Sequence, residues 1–314
     1  MITVLAGGIG AAKFLVGLTG VVSPGRITII VNTGDDARFH GLHISPDTDT
    51  VMYWLAGVAD LERGWGLAGD TFHCLEALAR LGEETWFQLG DRDLATHLWR
   101  TQRLQQGATL SEVTEQLCRA YGVQCRLLPM SDMPAGTRLQ TTAGSLAFQE
   151  YFIKLRQEPE VLEADFSEAV RAQPAPGVVE AILEAEAVII APSNPILSIS
   201  PILAVPGIRG ALQATAAPVA AISPIIAGRA LKGPTDRILR SLGLGASAAS
   251  VATLYRDFLN LFVLDVEDAS LEDDVRKMGM EVLLAPTIMS TAEASRQLAQ
   301  TVVEHLTLHS KPRA

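Results

Sequence analysis

The sequence predicts an α/β protein: a doubly wound, mostly parallel, Rossmann-like sheet with a long, mainly helical insertion. Three observations carry this. Short apolar runs without polar alternation recur at 2–6 (ITVLA), 26–32 (RITIIVN), 187–192 (AVIIAP), 218–223 (PVAAIS), 260–265 (NLFVLD) and 281–286 (EVLLAP), the pattern of strands buried on both faces. Helix-length segments separate the later runs, as crossover connections require. From Asp35 to about Gly177 the texture changes to polar turns alternating with helical stretches. The expected division is a nucleotide-binding core of residues 1–36 and 178–314, with 37–177 inserted.

Composition limits the function classes. A chain of 314 residues that is 48% hydrophobic can bury a sizeable core. Three cysteines, Cys74, Cys118 and Cys125, form no CxxC pair, which argues for a reducing compartment and against structural zinc. The start, MITVLAGGIG, lacks a basic, long-apolar leader, and no run reaches the roughly 18–20 residues of a membrane span, so a cytoplasmic location is expected. Net charge is −10 without a Lys/Arg-rich block, which speaks against a nucleic-acid partner. Phosphorylated small molecules remain compatible, because backbone N–H groups and a few cations suffice to hold them.

Taken in order, the first strand opens into AGGIGAAKF, and Ala11 to Val21 keep helical spacing. The backbone around Gly8 and Gly10 is suited to approach a phosphate. Lys13 occupies the place where a dinucleotide-binding loop usually has a third glycine, which disfavours a nicotinamide dehydrogenase; it either meets phosphate charge or lies exposed. The second strand ends in VNTGDD, setting Asn32, Asp35 and Asp36 at the carboxyl edge of the sheet, where ligands of open α/β folds bind, although a plain turn uses the same residues. His40 and His43 in HGLH lack a zinc pattern and read as loop residues.

ISPDTDTVMYWL (44–55) reads as the start of a helix over 47–57, with Asp47 and Asp49 in its first turn. Capping explains one acid; the pair also suits a divalent cation or proton transfer from a hydroxyl. Further helices are expected at 70–81, 92–104 and 110–121, and strands at 84–89, 125–129 and 138–142. In WFQLGDRDLATH, Arg92 puts a cation at the positive end of a helix dipole, so an acceptor, an anion or a salt bridge should compensate. All four tryptophans, at 54, 65, 86 and 99, fall in this region; most should be core, yet a flat heterocycle would be best served here.

In APSNPILSISPILAVPG, prolines at 192, 195, 201 and 206 are expected to preclude a regular helix until about Gly207, leaving Ser193, Asn194, Ser198 and Ser200 in a stiff polar loop suited to a nucleotide. Arg229 and Lys232 either neutralise a diphosphate or face solvent. Thr291 to Leu308 reads as an amphipathic helix.

Together AGGIGAAKFL, VNTGDD, ISPDTDTVMY, RGWGLAGDTFHCLEALARLG, WFQLGDRDLATHL, LLPMSD, APSNPILSISPILAVPGIR and SPIIAGRALKGPTD, in this order, closely resemble the CofD-type 2-phospho-L-lactate transferase family of coenzyme F420 biosynthesis. The resemblance covers almost the whole chain. It implies a Mg²⁺-dependent transfer of a phospho-acid group from a diphospho-5′-guanosine donor to the ribityl hydroxyl of 7,8-didemethyl-8-hydroxy-5-deazariboflavin (Fo), releasing GMP, in a homodimer. Details such as VNTGDDARFHGL and RGWG suggest an enolpyruvyl donor, as in bacterial members. Carried onto matching residues, Asp49 and Arg92 would contact Fo; Asp36, Asp47 and Asp49 would hold the metal, with Asp36 and Asp49 catalytic. Gly8, Gly10, Lys13, Ser193, Asn194, Ser198 and Lys232 would hold the donor. The rival reading is a YvcK-type nucleotide-sugar-binding regulator, which shares the glycine opening; the SPDTDT and LGDRDLATH segments favour the transferase.

Overall fold

A computed structural model describes residues 1–231 and 233–308. Seven parallel strands form the central sheet: β1 (Ile2–Ala6), β2 (Ile27–Val31), β3 (Arg126–Pro129), β4 (Ala187–Ile190), β5 (Val219–Ile222), β6 (Leu261–Asp265) and β7 (Glu281–Ala285). Their spatial order is β7-β6-β5-β4-β1-β2-β3, and every pairing is parallel. In β1, β2, β4, β5 and β6 every residue is buried, which explains the unbroken apolar runs. Successive side chains point to opposite faces, so Leu5, Ile30, Val188 and Ile190 join one core while Val4, Ala6, Ile29, Val31 and Ile189 join the other.

The strand order reverses between β1 and β4. Loops leaving the carboxyl ends of β1, β2 and β4 therefore diverge around one crevice, the switch point where open α/β sheets take their ligands. The first of these loops leads directly into α1 (Gly8–Thr19). This helix begins at Gly8, three residues earlier than the apolar spacing indicates, because Gly8 adopts φ +71°, a conformation open to glycine at little cost. At Gly17 a Cβ would lie 2.3 Å from the Ser295 backbone, so the glycine admits the helix Ala292–Leu308 into backbone contact.

The segment after β2 forms a hairpin, Ala37–Phe39 with Leu42–Ile44, then α2 (Pro46–Leu55), α3 (His73–Arg80), α4 (Asp93–Gln105) and α5 (Leu110–Ala120). It then returns to the sheet as β3, paired with β2, so residues 37–177 supply one edge of the core rather than lying wholly outside it. Arg138–Thr141, Gly144–Ala147 and Val161–Asp165 make a small antiparallel sheet.

Two elements differ from expectation. Residues 84–89 form no strand; instead Phe87 stacks on Phe39 at 4.2 Å, and the Trp86 indole N–H donates to Glu84 Oε2. Residues 195–204 are helical, a wide turn over Pro195–Ile199 followed by a short helix over Ser200–Ala204. Pro195 and Pro201 sit at the starts of these turns, where a missing N–H costs nothing and a fixed φ helps. Among the described residues, no single helix is long and apolar enough to cross a membrane.

Candidate functional site

Three carboxylates from two elements meet at the switch point. Asp35 and Asp36 follow β2, and Asp47 lies in the first turn of α2. Asn32, the first residue after β2, ties two of them together: its amide donates to Asp47 Oδ2 at 2.9 Å and lies 3.5 Å from Asp35 Oδ1, while its own oxygen accepts from Gly34 N–H at 2.8 Å. Asp35 Oδ2 in turn accepts from the Asp47 backbone N–H at 3.0 Å, so it caps α2. Asp36 Oδ2 takes two bonds, one with His43 Nε2 and one from the Ser45 hydroxyl, both 2.9 Å. Its Oδ1 is buried and has no partner.

The glycine opening faces this cluster. Hydrogen bonds from Ser198 and the Gly8 backbone reach the Asp47 carboxylate, placing an anion at the positive end of α1. A Cβ at Gly7 would stand 2.5 Å from Asp47 Oδ2 and 2.7 Å from Ser198 Cβ, so only glycine admits the acid. Ser193 Oγ accepts the Gly7 N–H at 3.2 Å, joining the loop after β4 to the loop after β1.

Burial sets the acidity of these groups. Burial raises the Asp35 carboxyl well above its usual range, and Asp47 and Asp36 nearby push it further. Burial also raises Asp36, against opposing bonds and charge from His43 and the charge of Arg100. Asp47 is pushed up to about 6: burial and the Asp36 charge raise it, while bonds from Asn32, Ser198 and Gly8 hold it down. Three buried carboxylates raised in this way favour a cation beside them. Among the described residues no three His, Cys, Asp or Glu side chains are grouped to hold a metal by themselves. That suits Mg²⁺ better than zinc, because Mg²⁺ takes one or two carboxylates and completes its shell with water and substrate phosphates. The unpartnered Asp36 oxygen fits such a ligand.

The other expected site residues fall in distinct places. Gly10 is a packing residue, since a Cβ there would meet the Pro192 carbonyl oxygen at 2.3 Å. Asn194 Oδ1 accepts the N–H groups of Ile196 and Leu197, both at 3.0 Å, so its acceptor is spent on starting the helical turn that carries Ser198. Lys13 Nζ donates to the Met289 carbonyl at 3.2 Å. Lys232 lies outside the described residues. Arg92 is exposed; its guanidinium donates to the Ala68 carbonyl, and its backbone N–H to Asp70 Oδ1 at 2.8 Å. Asp70, which also accepts from Asp93 N–H, is thus the anion demanded at this helix start.

Asp49 has a different neighbour from the one expected. It stands two residues beyond Asp47, and at 100° per residue the two side chains leave α2 on opposite sides. Both Asp49 oxygens accept from Arg100 on α4. Asp49 is 5% exposed and Arg100 fully buried. The tryptophans also separate: Trp54 bonds to the Gly64 carbonyl, Trp65 and Trp99 lie under Arg63 and Arg103, and Trp86 joins Phe39 and Phe87 edge-on. The last three rings form a half-buried aromatic cluster, with Phe39 and Phe87 stacked and Trp86 edge-on to both. His43 and Ser45 are site residues that spacing alone misses. The findable signal was the hairpin FHGLH, whose His40 and Gly41 both take positive φ, the turn that returns His43 to Asp36.

The sequence model of a family described as 2-phospho-L-lactate transferase CofD matches residues 2–305. The chain belongs to the CofD family. A CofD relative named phosphoenolpyruvate transferase, from Streptomyces griseus subsp. griseus, is 43% identical over 309 residues, covering 96% of this chain and 97% of its own. The 2-phospho-L-lactate transferase of Methanosarcina mazei is 38% identical over 302 residues, covering 96% and 99%. This CofD member is an enzyme, a transferase of that type. A crystal structure of a UPF0052 family protein from Bacillus halodurans superposes with a TM-score of 0.67 over 96% of this chain and 98% of its own, at 15% identity, a likeness of fold.

Proposed function

We propose that the protein transfers a phosphoenolpyruvyl or 2-phospho-L-lactyl group from a diphospho-5′-guanosine donor to the ribityl hydroxyl of Fo, releasing GMP, in coenzyme F420 biosynthesis. The observation that carries this is the Asp36 Oδ1 atom, buried without a partner beside Asp47 and the start of α1. A cation held there would offset the charge of an anionic donor, in a chain aligned over 96% of its length with a relative named phosphoenolpyruvate transferase. The higher identity to those relatives than to the lactate enzyme supports the enolpyruvyl donor.

In this reading the hydroxyl oxygen of Fo bonds to the phosphorus nearer the acid, the bridging bond to GMP breaks, and the hydroxyl proton passes to a carboxylate of the cluster. Asp36 and Asp47 would hold Mg²⁺, which would offset charge growing on the phosphoryl oxygens. Ser193, Ser198 and the Gly7–Gly8 backbone border the donor phosphates. Arg92 and the Phe39, Trp86 and Phe87 rings are offered to the deazaflavin. The test is to incubate the protein with Fo, Mg²⁺ and each guanosine donor and to weigh the products. A dehydro-F420-0 mass from the enolpyruvyl donor supports the reading; no Fo-derived product from any donor sinks it.

A further inference from the structure

The mechanism leaves one buried group of charges unused, beneath the acidic cluster. Along α4, Asp93, His97 and Arg100 recur at helical spacing, and along α2 so do Asp49 and Tyr53. The two rows meet in a polar seam. Arg100 grips both oxygens of Asp49, with Nη1–Oδ2 at 3.0 Å. His97 Nδ1 lies 3.2 Å from Arg100 Nη1, and His97 Nε2 lies 3.4 Å from Asp93 Oδ1. Asp93 accepts the Tyr53 hydroxyl at 2.6 Å, which brings the seam back to α2. The next residue on α4, Thr101, accepts the His43 backbone N–H at 2.8 Å, so the same helix also holds the strand that aims His43 at Asp36.

All five side chains are buried, and as a source of stability alone the seam is inefficient. Desolvating two ions costs several kcal/mol each, and an apolar pair of similar volume often packs as well. What an apolar pair cannot do is fix direction: two parallel N–H···O bonds set both distance and angle. Asp49 is one turn or less from Asp47, so the grip fixes the first turn of α2, where a rotation of a few degrees would move Asp47 away from Gly8, Ser198 and Asn32. Arg100 also sets a buried positive charge within reach of Asp36.

Resting on the functional reading above, we propose that Arg100 is a positioning residue for the transfer: by clamping Asp49 it holds Asp47 in register with Asp36 and the start of α1. Asp49 carries that grip to α2.

The test uses Asp49→Asn, Arg100→Met and the double variant, with two readouts. Steady-state kinetics with Fo and the enolpyruvyl donor should show kcat lowered at least fiftyfold in each single variant, donor KM within threefold of the parent, and a double variant no slower than the slower single, as expected of residues acting as a unit. Hydrogen exchange of the segment 44–55 should quicken at least tenfold in all three. The double variant removes both members of the Asp49–Arg100 pair, so neither is left alone as it is in the single variants. A folded double variant with kcat within threefold of the parent, or unchanged exchange over 44–55, overturns the proposal. So does failure of the double variant to fold, which would assign the pair to stability. If the parent itself makes no product, the functional reading falls, while the exchange experiment still reports on the clamp.

Discussion

At the scale of the residue, the decisive feature is a carboxylate with one oxygen satisfied twice and the other not at all. His43 and Ser45 fix Asp36 by its Oδ2 and leave the buried Oδ1 without a partner. Asp36→Asn keeps the shape and removes the charge. It should lower kcat by at least about a hundredfold, the order expected for loss of a charge-neutralising ligand at phosphorus. Its melting temperature should change little, because the amide keeps an oxygen that can accept from Ser45 while a carboxyl raised by burial is removed. Unchanged turnover would remove Asp36 from the site. Asp47 gives a second expectation through pH. Its carboxyl moves from 3.8 to about 6 on folding, so between those values the folded chain holds the proton that the unfolded chain has lost. Stability from this group therefore falls as pH rises through that window and is flat above it. In metal-free protein, melting curves from pH 4 to 7 should show that decline, and Asp47→Asn should remove its share; a variant with the parent's slope would contradict the assignment. At this scale the sequence was partly legible. Asp36 and Asp47 stand out by type and by position at a strand end and a helix start. Asp49 looked equivalent to Asp47, because a string of residues does not show which side of a helix meets an arginine fifty-one positions on.

At the scale of the element, two short helices start with borrowed caps. Asp91, just before α4, accepts from the Thr71 hydroxyl and from the N–H groups of His73 and Cys74, so it caps α3. Asp70, just before α3, caps α4 through Arg92 and Asp93 N–H. Gly90 makes room, since a Cβ there would fall 2.2 Å from Asp70 Oδ2. Loss of a cap costs about 1 kcal/mol, so Asp70→Ala and Asp91→Ala should each lower the melting temperature by a few degrees. Gly90→Ala should do at least as much by pushing Asp70 off its donors. If Gly90→Ala melts like the parent, the crossed caps are not holding these helices. Sequence periodicity found α2, α4 and α5 closely, because each has a continuous pattern of more than two turns. It did not find the crossed caps, which join residues about twenty apart through loop geometry. It read 84–89 as a strand because Trp, Phe and Leu suit one, whereas here aromatic stacking replaces strand pairing.

At the scale of the whole molecule, the site exists because the strand order turns back on itself. The sheet was legible as six apolar runs, five of them buried on both faces, and this burial makes them conspicuous. The seventh, β3, was visible as a short run but not as part of the sheet, since its pairing with β2 bridges almost a hundred intervening residues. If the crevice takes a guanosine diphosphate together with a cation, the two should stabilise the fold jointly: a ligand at a hundred times its Kd adds about 2.7 kcal/mol. Melting with Mg²⁺, with GDP and with both should show a shift for the pair larger than the sum of the separate shifts, and strict additivity would argue against a shared site.

The fit of Gly7 around Asp47 and Ser198 also bears on how such a protein can change over generations. A side chain at position 7 and a carboxylate at position 47 exclude one another, so neither position can drift alone. A lineage leaving this arrangement would have to cross a crippled intermediate or alter both sites at once, and a harmful Gly7→Ala should be eased only in part by shortening residue 47, since Ser198 Cβ also stands 2.7 Å from the added carbon.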